Sequence, residues 1–184
     1  MRNQALKASA RWLVLCAMLV AGTAHAGQKQ VGGVNMPDSL TLRGRTVALA
    51  HMALHKRLFF KVYVWSLYLE EQPRNASEAI ASNSVKRLHF RFLRNISRDQ
   101  LVGSLRDNLQ KNPDMRQGPM ADSLGVLLSS LKDVRKGEDL VITYVPDAGL
   151  EISGGASGGA VIPGKHFADA LFSVWLNAHP IFPR

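Results

Sequence analysis

Cysteine is nearly absent from this chain. Cys16 is the only one, so no intramolecular disulfide, multi-thiolate metal site or C-x-x-C redox pair can form. Carboxylates are also scarce: 14 acidic side chains stand against 23 Lys and Arg. They are scattered over turns and helix surfaces, and no paired-carboxylate or Ser-His-Asp arrangement can be identified among them. No apolar run is long enough to cross a bilayer. The longest, Trp12 to Ala21, has ten residues, against roughly 20 for a spanning helix. No internal repeat, second domain or low-complexity linker is apparent. The glycines of Gly154-Gly155-Ala156-Ser157-Gly158-Gly159 are not followed by Lys-Ser or Lys-Thr, which excludes a phosphate-binding loop and predicts a hairpin tip.

The short apolar run has its own meaning. Arg2, Lys7 and Arg11 precede it and Ala24-His25-Ala26 follows, with small residues at the two positions a signal peptidase reads. This is the pattern of a secretory signal peptide cleaved after Ala26. Leu13-Val14-Leu15 before Cys16 lack the small residues of a lipidation site. The expectation is a periplasmic or secreted protein, residues 27–184, forming one domain without a transmembrane segment. That mature chain has no cysteine and keeps 20 basic against 14 acidic side chains, a net charge of +6. The charge is dispersed, so anionic lipid or acidic ligands are plausible partners and nucleic acid is not.

What the mature chain does have is a β-rich run, Phe59 to Glu70, FFKVYVWSLYLE. Apolar residues fall on both parities, which predicts a strand covered on both faces. Before it, residues 27–33 are polar and glycine-rich and read as a loose terminus. Ser39 to Leu42 and Thr46 to Ala50 flank Arg43-Gly44-Arg45 as a hairpin. Residues 51–57 read as a polar segment leading into the long strand. After it, Asn75 caps a short helix to Ser82, and Lys86 to Arg94 alternates as a half-buried strand with Leu88, Phe90 and Phe92 inward. Ser97 and Gln100 make a capping box for a helix with Leu101, Leu105 and Leu109 on one face. Pro119 opens another, with Leu124, Leu127, Leu128 and Leu131 as its stripe. Strands at Asp139 to Val145, Leu150 to Ser153 and Ala160 to Ile162 precede a last helix, Gly164 to Ala178, carrying Phe167, Leu171, Val174 and Trp175. The class is α+β, a mostly antiparallel sheet with helices on one side.

Val34-Asn35-Met36-Pro37-Asp38, Phe60-Lys61-Val62-Tyr63-Val64 with Leu67-Tyr68-Leu69, the strand and capped helix from Leu88 to Leu109, and Phe167-Ala168-Asp169-Ala170-Leu171-Phe172 with Trp175-Leu176 occur in an order and spacing that resembles the chalcone isomerase-like family, in its bacterial exported branch. The resemblance implies an open-faced β-sandwich with a ligand cleft between sheet and helices. The family includes isomerases that close a chalcone to a flavanone, and that chemistry needs cations and donors around migrating negative charge. It implies that His55 stands where the enzymes carry an arginine, Tyr63 where they carry a threonine, and Leu101 and Ser104 where they carry a tyrosine and a lysine. Asn108 matches their asparagine, and Tyr63 matches the tyrosine of the plant fatty-acid-binding relatives.

With the main cation and donors gone, the resemblance implies a non-catalytic protein that binds a lipophilic, fatty-acid-like molecule, with an intramolecular lyase as the alternative. His55, Tyr63, Trp65 and Asn108 are the candidate ligand-binding residues; each could equally be ordinary core or helix-surface structure. His51 and His55, four apart, lie on one side of their segment and could ligate zinc or haem. No third ligand is spaced nearby, so no cofactor is expected, haem being the alternative. His89, His166 and His179 are expected to face solvent. The family continues beyond the segment matching Trp175-Leu176, so an apolar surface open to a second subunit or another protein is also expected.

Overall fold

The computed structural model describes residues 27–182. The signal-peptide reading falls on residues 1–26, outside them. Seven strands form one antiparallel meander in chain order: β3 (Ser39–Leu42), β4 (Arg45–Arg57), β5 (Phe60–Leu69), β6 (Lys86–Phe92), β7 (Asp139–Val145), β8 (Gly149–Ser153) and β9 (Ala160–Ile162). One face carries α1 (Ala76–Ala81), α2 (Arg98–Leu109), α3 (Gly118–Ser130) and α4 (His166–Ala178). The main core lies between, built from Trp65, Leu67, Leu88, Phe90, Phe92, Leu140, Ile142 and Ile152 of the sheet and Leu101, Leu127, Phe167, Leu171 and Phe172 of the helices. Among the described residues no helix is long and apolar enough to cross a membrane.

Local chemistry accounts for most boundaries. Asn75 Oδ1 accepts the Glu78 N–H at 2.9 Å, and Ser97 and Gln100 form the reciprocal capping box that opens α2, each worth about 1 kcal/mol. Strand β6 alternates buried and half-buried along its length, as KRLHFRF requires. Arg43 (φ 49°) and Gly44 (φ 79°) both take positive φ in the two-residue β3–β4 turn, the geometry that matches strand twist.

Two stretches differ from what the sequence predicts. The expected loose terminus is a hairpin, β1 (Gln28–Val31) with β2 (Val34–Pro37), turned by Gly32-Gly33 at φ 62° and 91°. It lies on the sheet face away from the helices, where Val34 and Met36 pack on Met52 and Val64. Tyr68 Oη donates to the Pro37 carbonyl at 3.0 Å. This hairpin is the second cover of β5, and it explains why Val64 and Tyr68 are buried opposite Trp65 and Leu67. Secondly, residues 51–57, which read only as a polar segment leading into the long strand, are themselves strand. They continue β4 to 13 residues, paired to β5 through irregularities at Leu49/His51 and His55/Lys56, which break the alternation a sequence reader looks for. The glycine-rich segment 154–159 joins β8 to β9 as the expected hairpin tip, and it is held in place. Ala156 N–H donates to Asp139 O at 3.0 Å and Gly158 N–H to Ser130 O at 2.7 Å, so it is pinned between β7 and α3.

Lys86 shares the inward parity of Leu88 and Phe90 and is 1% exposed. Its Nζ donates to Ile80 O at 2.7 Å and lies 4.0 Å from Asp169, which Lys165 already holds at 2.6 Å. Burial, with the Lys165 charge beside it, pushes the Lys86 ammonium down to about 8 from 10.5. Between those values the unfolded chain keeps a proton the folded chain has lost, so this group makes stability rise with pH across the window. Lys86→Met is expected to remove that rise, on the order of 3 kcal/mol, and to leave the protein at least as stable at neutral pH. Urea unfolding of both proteins between pH 7 and about 10.5 checks this: parallel profiles would refute it.

Candidate functional site

A cavity of about 430 Å³ opens where α2 and the end of α4 diverge from the sheet. Its floor is β4, β5 and β6, through His55, Arg57, Val62, Tyr63 and Phe92; its walls are Leu101, Ser104 and Asn108 of α2 and Val174, Trp175 and His179 at the end of α4. A smaller void of about 70 Å³ adjoins it, sharing Tyr63, Ser104 and Trp175 and reaching Phe90, Leu105, Leu109 and Leu140. The inner end is therefore apolar. The irregularity at His55/Lys56 in the β4–β5 pairing acts here: one residue on β5, Val62, has no partner between Tyr63 and Lys61, and as a result Val62 and Tyr63, adjacent in sequence, both reach the cavity.

Of the four residues singled out by sequence, three line this cavity. His55 and Tyr63 sit opposite one another across β4 and β5 with rings stacked at 4.6 Å and 9°. Burial pushes the Tyr63 hydroxyl up to about 12, so it is a neutral donor at physiological pH. Asn108 also lines the cavity, but its amide is engaged on its own helix: Nδ2 donates to Ser104 O at 2.8 Å and Oδ1 accepts from Lys111 at 2.9 Å. Trp65 does not line it. At 2% exposure it stands behind the wall, edge-on to Trp175 at 5.3 Å and near His51 at 4.9 Å.

Three residues the sequence did not point to belong to the cavity. Arg57 and Arg94 are exposed cations on its lining, and among the described residues neither forms an ion pair. Arg57 follows His55 by two residues on one strand and so shares its face, a relation hidden until 51–57 is seen to be strand. His179 is not solvent-facing: it stacks on Trp175 at 4.4 Å, and its Nδ1 is 3.1 Å from Trp175 O. The Trp175 indole N–H is buried without an acceptor among the described residues. His89 is half-buried as well, with Nε2 3.1 Å from Asp139, while His166 is exposed as expected. No cluster of three metal-ligating groups occurs among the described residues. His51 lies off the cavity lining, its ring against Trp65.

This arrangement, an apolar cleft under a helical layer on an antiparallel meander, agrees with the sequence comparison. The model of the chalcone isomerase-like family matches residues 28–182. The chain belongs to that family. No curated protein sequence matches significantly. Among solved structures, the chain resembles a fatty-acid binding protein of Arabidopsis thaliana, with a TM-score of 0.59 over 85% of this chain and 92% of that one, at 13% identity. At that identity the likeness establishes the chalcone isomerase-like fold and nothing finer. Leu101 and Ser104, the positions that the family resemblance equates with the enzymes' tyrosine and lysine, both face the cavity.

Burial lowers both His51 and His55 from the ordinary histidine value of 6.5, helped by the Lys29 and His179 charges at His51 and by His179 at His55. Both rings are neutral at neutral pH. The unfolded chain binds these protons first as pH falls, so stability contributed by the neutral rings is complete above pH 6.5 and lost as pH drops through the folded values. Proton NMR titration is expected to place both imidazoles below 6.5. In His51→Gln/His55→Gln the acid-side decline in melting temperature should be shallower than in the wild type, and an unchanged slope would contradict the assignment.

Proposed function

We propose that this chain is a non-catalytic member of the chalcone isomerase-like family that binds a fatty-acid-like carboxylate, released outside the cytoplasm by the leader at residues 1–26. The observation that carries the reading is the polarity gradient of the cavity. Its inner end is Phe90, Leu105, Leu109 and Leu140, and its exposed lining holds two arginines without ion-pair partners among the described residues. An acyl chain suits the first and a carboxylate the second, since guanidinium is the side chain best shaped to hold a carboxylate. Tyr63 supplies a neutral donor between the two ends, and an apolar cleft with a few polar groups is the usual make-up of a small-molecule site. The binding named for the Arabidopsis relative supports this at the level of fold.

The lyase alternative gains something from the structure, because Arg57 and Arg94 return cations to the cavity. It lacks a tyrosine and a lysine on the α2 wall, where Leu101 and Ser104 stand. Haem ligation would need His51 or His55 to leave its aromatic neighbour.

Native mass spectrometry of the protein purified without detergent is expected to show bound species spaced by methylene units. Arg57→Gln and Arg94→Gln should each weaken fatty-acid binding about tenfold, near 1.4 kcal/mol. Ser104→Trp, which fills the junction of the two voids, should abolish it while the fold is kept. A wild type that binds no fatty acid in titration would overturn the proposal. Turnover of a chalcone would move the assignment to the lyase.

A further inference from the structure

The β4–β5 hairpin ends in a feature that the cavity does not use. Its two-residue turn is Leu58-Phe59, and Leu58, Phe59 and the first residue of β5, Phe60, are 84%, 97% and 61% exposed. Isolated exposed apolar side chains are ordinary, but three in succession at a tip are not. Leu58 holds φ 54°, a conformation that glycine or asparagine adopts far more readily than a bulky residue. A turn chosen only to join two strands would not place leucine there.

The charge around the tip has one sign. Lys56, Arg57, Lys61 and Arg94 are all exposed, and the Arg94 guanidinium lies 5.3 Å from the Phe60 ring centre. No acidic residue occurs between Asp38 and Glu70, so β3, β4 and β5 carry no carboxylate. Among the described residues these four cations form no ion pair. An apolar point ringed by cations is the pattern that enters the headgroup region of an anionic bilayer: the aromatic and aliphatic side chains reach the acyl boundary while the basic ones meet lipid phosphates. Arg57 and Arg94 also line the cavity, so such docking would set the cavity mouth against the lipid surface.

We infer that the Leu58-Phe59-Phe60 tip with Lys56 and Lys61 is a docking element for anionic membrane surfaces. Its purpose rests on the lipid-binding reading above, but its test does not. The probe is co-sedimentation with vesicles of phosphatidylcholine alone or mixed equally with phosphatidylglycerol. The wild type should sediment with the mixed vesicles at low salt and be released at high salt. Leu58→Asn/Phe59→Ser, which also relaxes the turn, should fold normally and lose about tenfold or more in partitioning. Lys56→Gln/Lys61→Gln should lose about tenfold. Ser104→Trp, blocked in the cavity, should sediment like the wild type, and Leu58→Asn/Phe59→Ser should still bind fatty acid in solution; these two results separate failure of the docking element from failure of the cavity reading. A wild type that stays in the supernatant with mixed vesicles overturns the inference, as does sedimentation unchanged in both double variants. So does a dimer in light scattering that Leu58→Asn/Phe59→Ser dissolves without any vesicle binding, which would assign the tip to a second copy of the chain.

Discussion

The pairing of β4 with β5 is the constraint on which the rest of the molecule depends. These are the two longest strands, 13 and 10 residues, and their side chains are divided by parity between two different environments. His51, Ala53, His55, Tyr63, Trp65 and Leu67 turn toward the helices, and Met52, Leu54 and Val64 toward the β1–β2 hairpin. A slip of one residue would exchange these sets, placing histidines under β1–β2 and methionine and leucine in the cavity. The packing on both faces opposes such a slip, since burying each Val, Leu or Met contributes about 1.5–3 kcal/mol. The irregularity at Val62 is compatible with this register because it lies at the outer end, beyond the helical core. There it widens the floor of the cavity without moving Trp65 or Leu67.

That division also separates stability from ligand chemistry. Trp65 carries aromatic bulk but gives it to the wall behind the cavity, where it props Trp175 and His179. Tyr63, two residues earlier on the same face, meets the cavity itself, because α4 has ended and α2 stands apart at that level. Side chains of one strand face thus pass from core to cavity as the covering helices diverge. The depressed basicity of His51 and His55 has the same origin: partial cover by aromatic rings costs the charged form its hydration without supplying a carboxylate in return.

The elements whose signals are local were legible in the sequence. Asn75 and Ser97 mark their helices by their own side-chain bonds, and KRLHFRF marks β6 by alternation alone. The errors share one cause: the deciding partner lies far away in the chain. Gly32-Gly33 is a hairpin signal, yet Gln28, Lys29 and Gln30 read as loop because the apolar partners of β2 are on β4 and β5. Residues 51–57 read only as a polar segment because their hydrophobic face is shared with histidines and the register around them is broken twice. Lys86 counts as a surface residue until α1 and α4 are seen to close over it. The candidate site was partly legible. His55, Tyr63 and Asn108 converge on one cavity, whereas Arg57 follows only once β4 is known to extend to the tip, and Arg94 and His179 come from segments whose approach no local pattern encodes.

The tip shows how a local cost can be outweighed. A left-handed leucine costs on the order of 1 kcal/mol relative to glycine or asparagine at the same position, and in water two exposed large apolar side chains return nothing for it. Moving Leu58 and Phe59 into an apolar environment is worth about 1.5–3 kcal/mol each, several times the strain. The turn built on the positive φ of Leu58 leaves both side chains open to solvent, clear of the strands. Because Phe60 and Arg94 join the tip to the rim where Arg57 and Arg94 line the cavity, a surface that accepts the apolar residues must lie alongside its mouth. A two-strand ribbon braced on both faces at its base is stiff enough to fix that alignment, and this ties the site back to the register of β4 on β5.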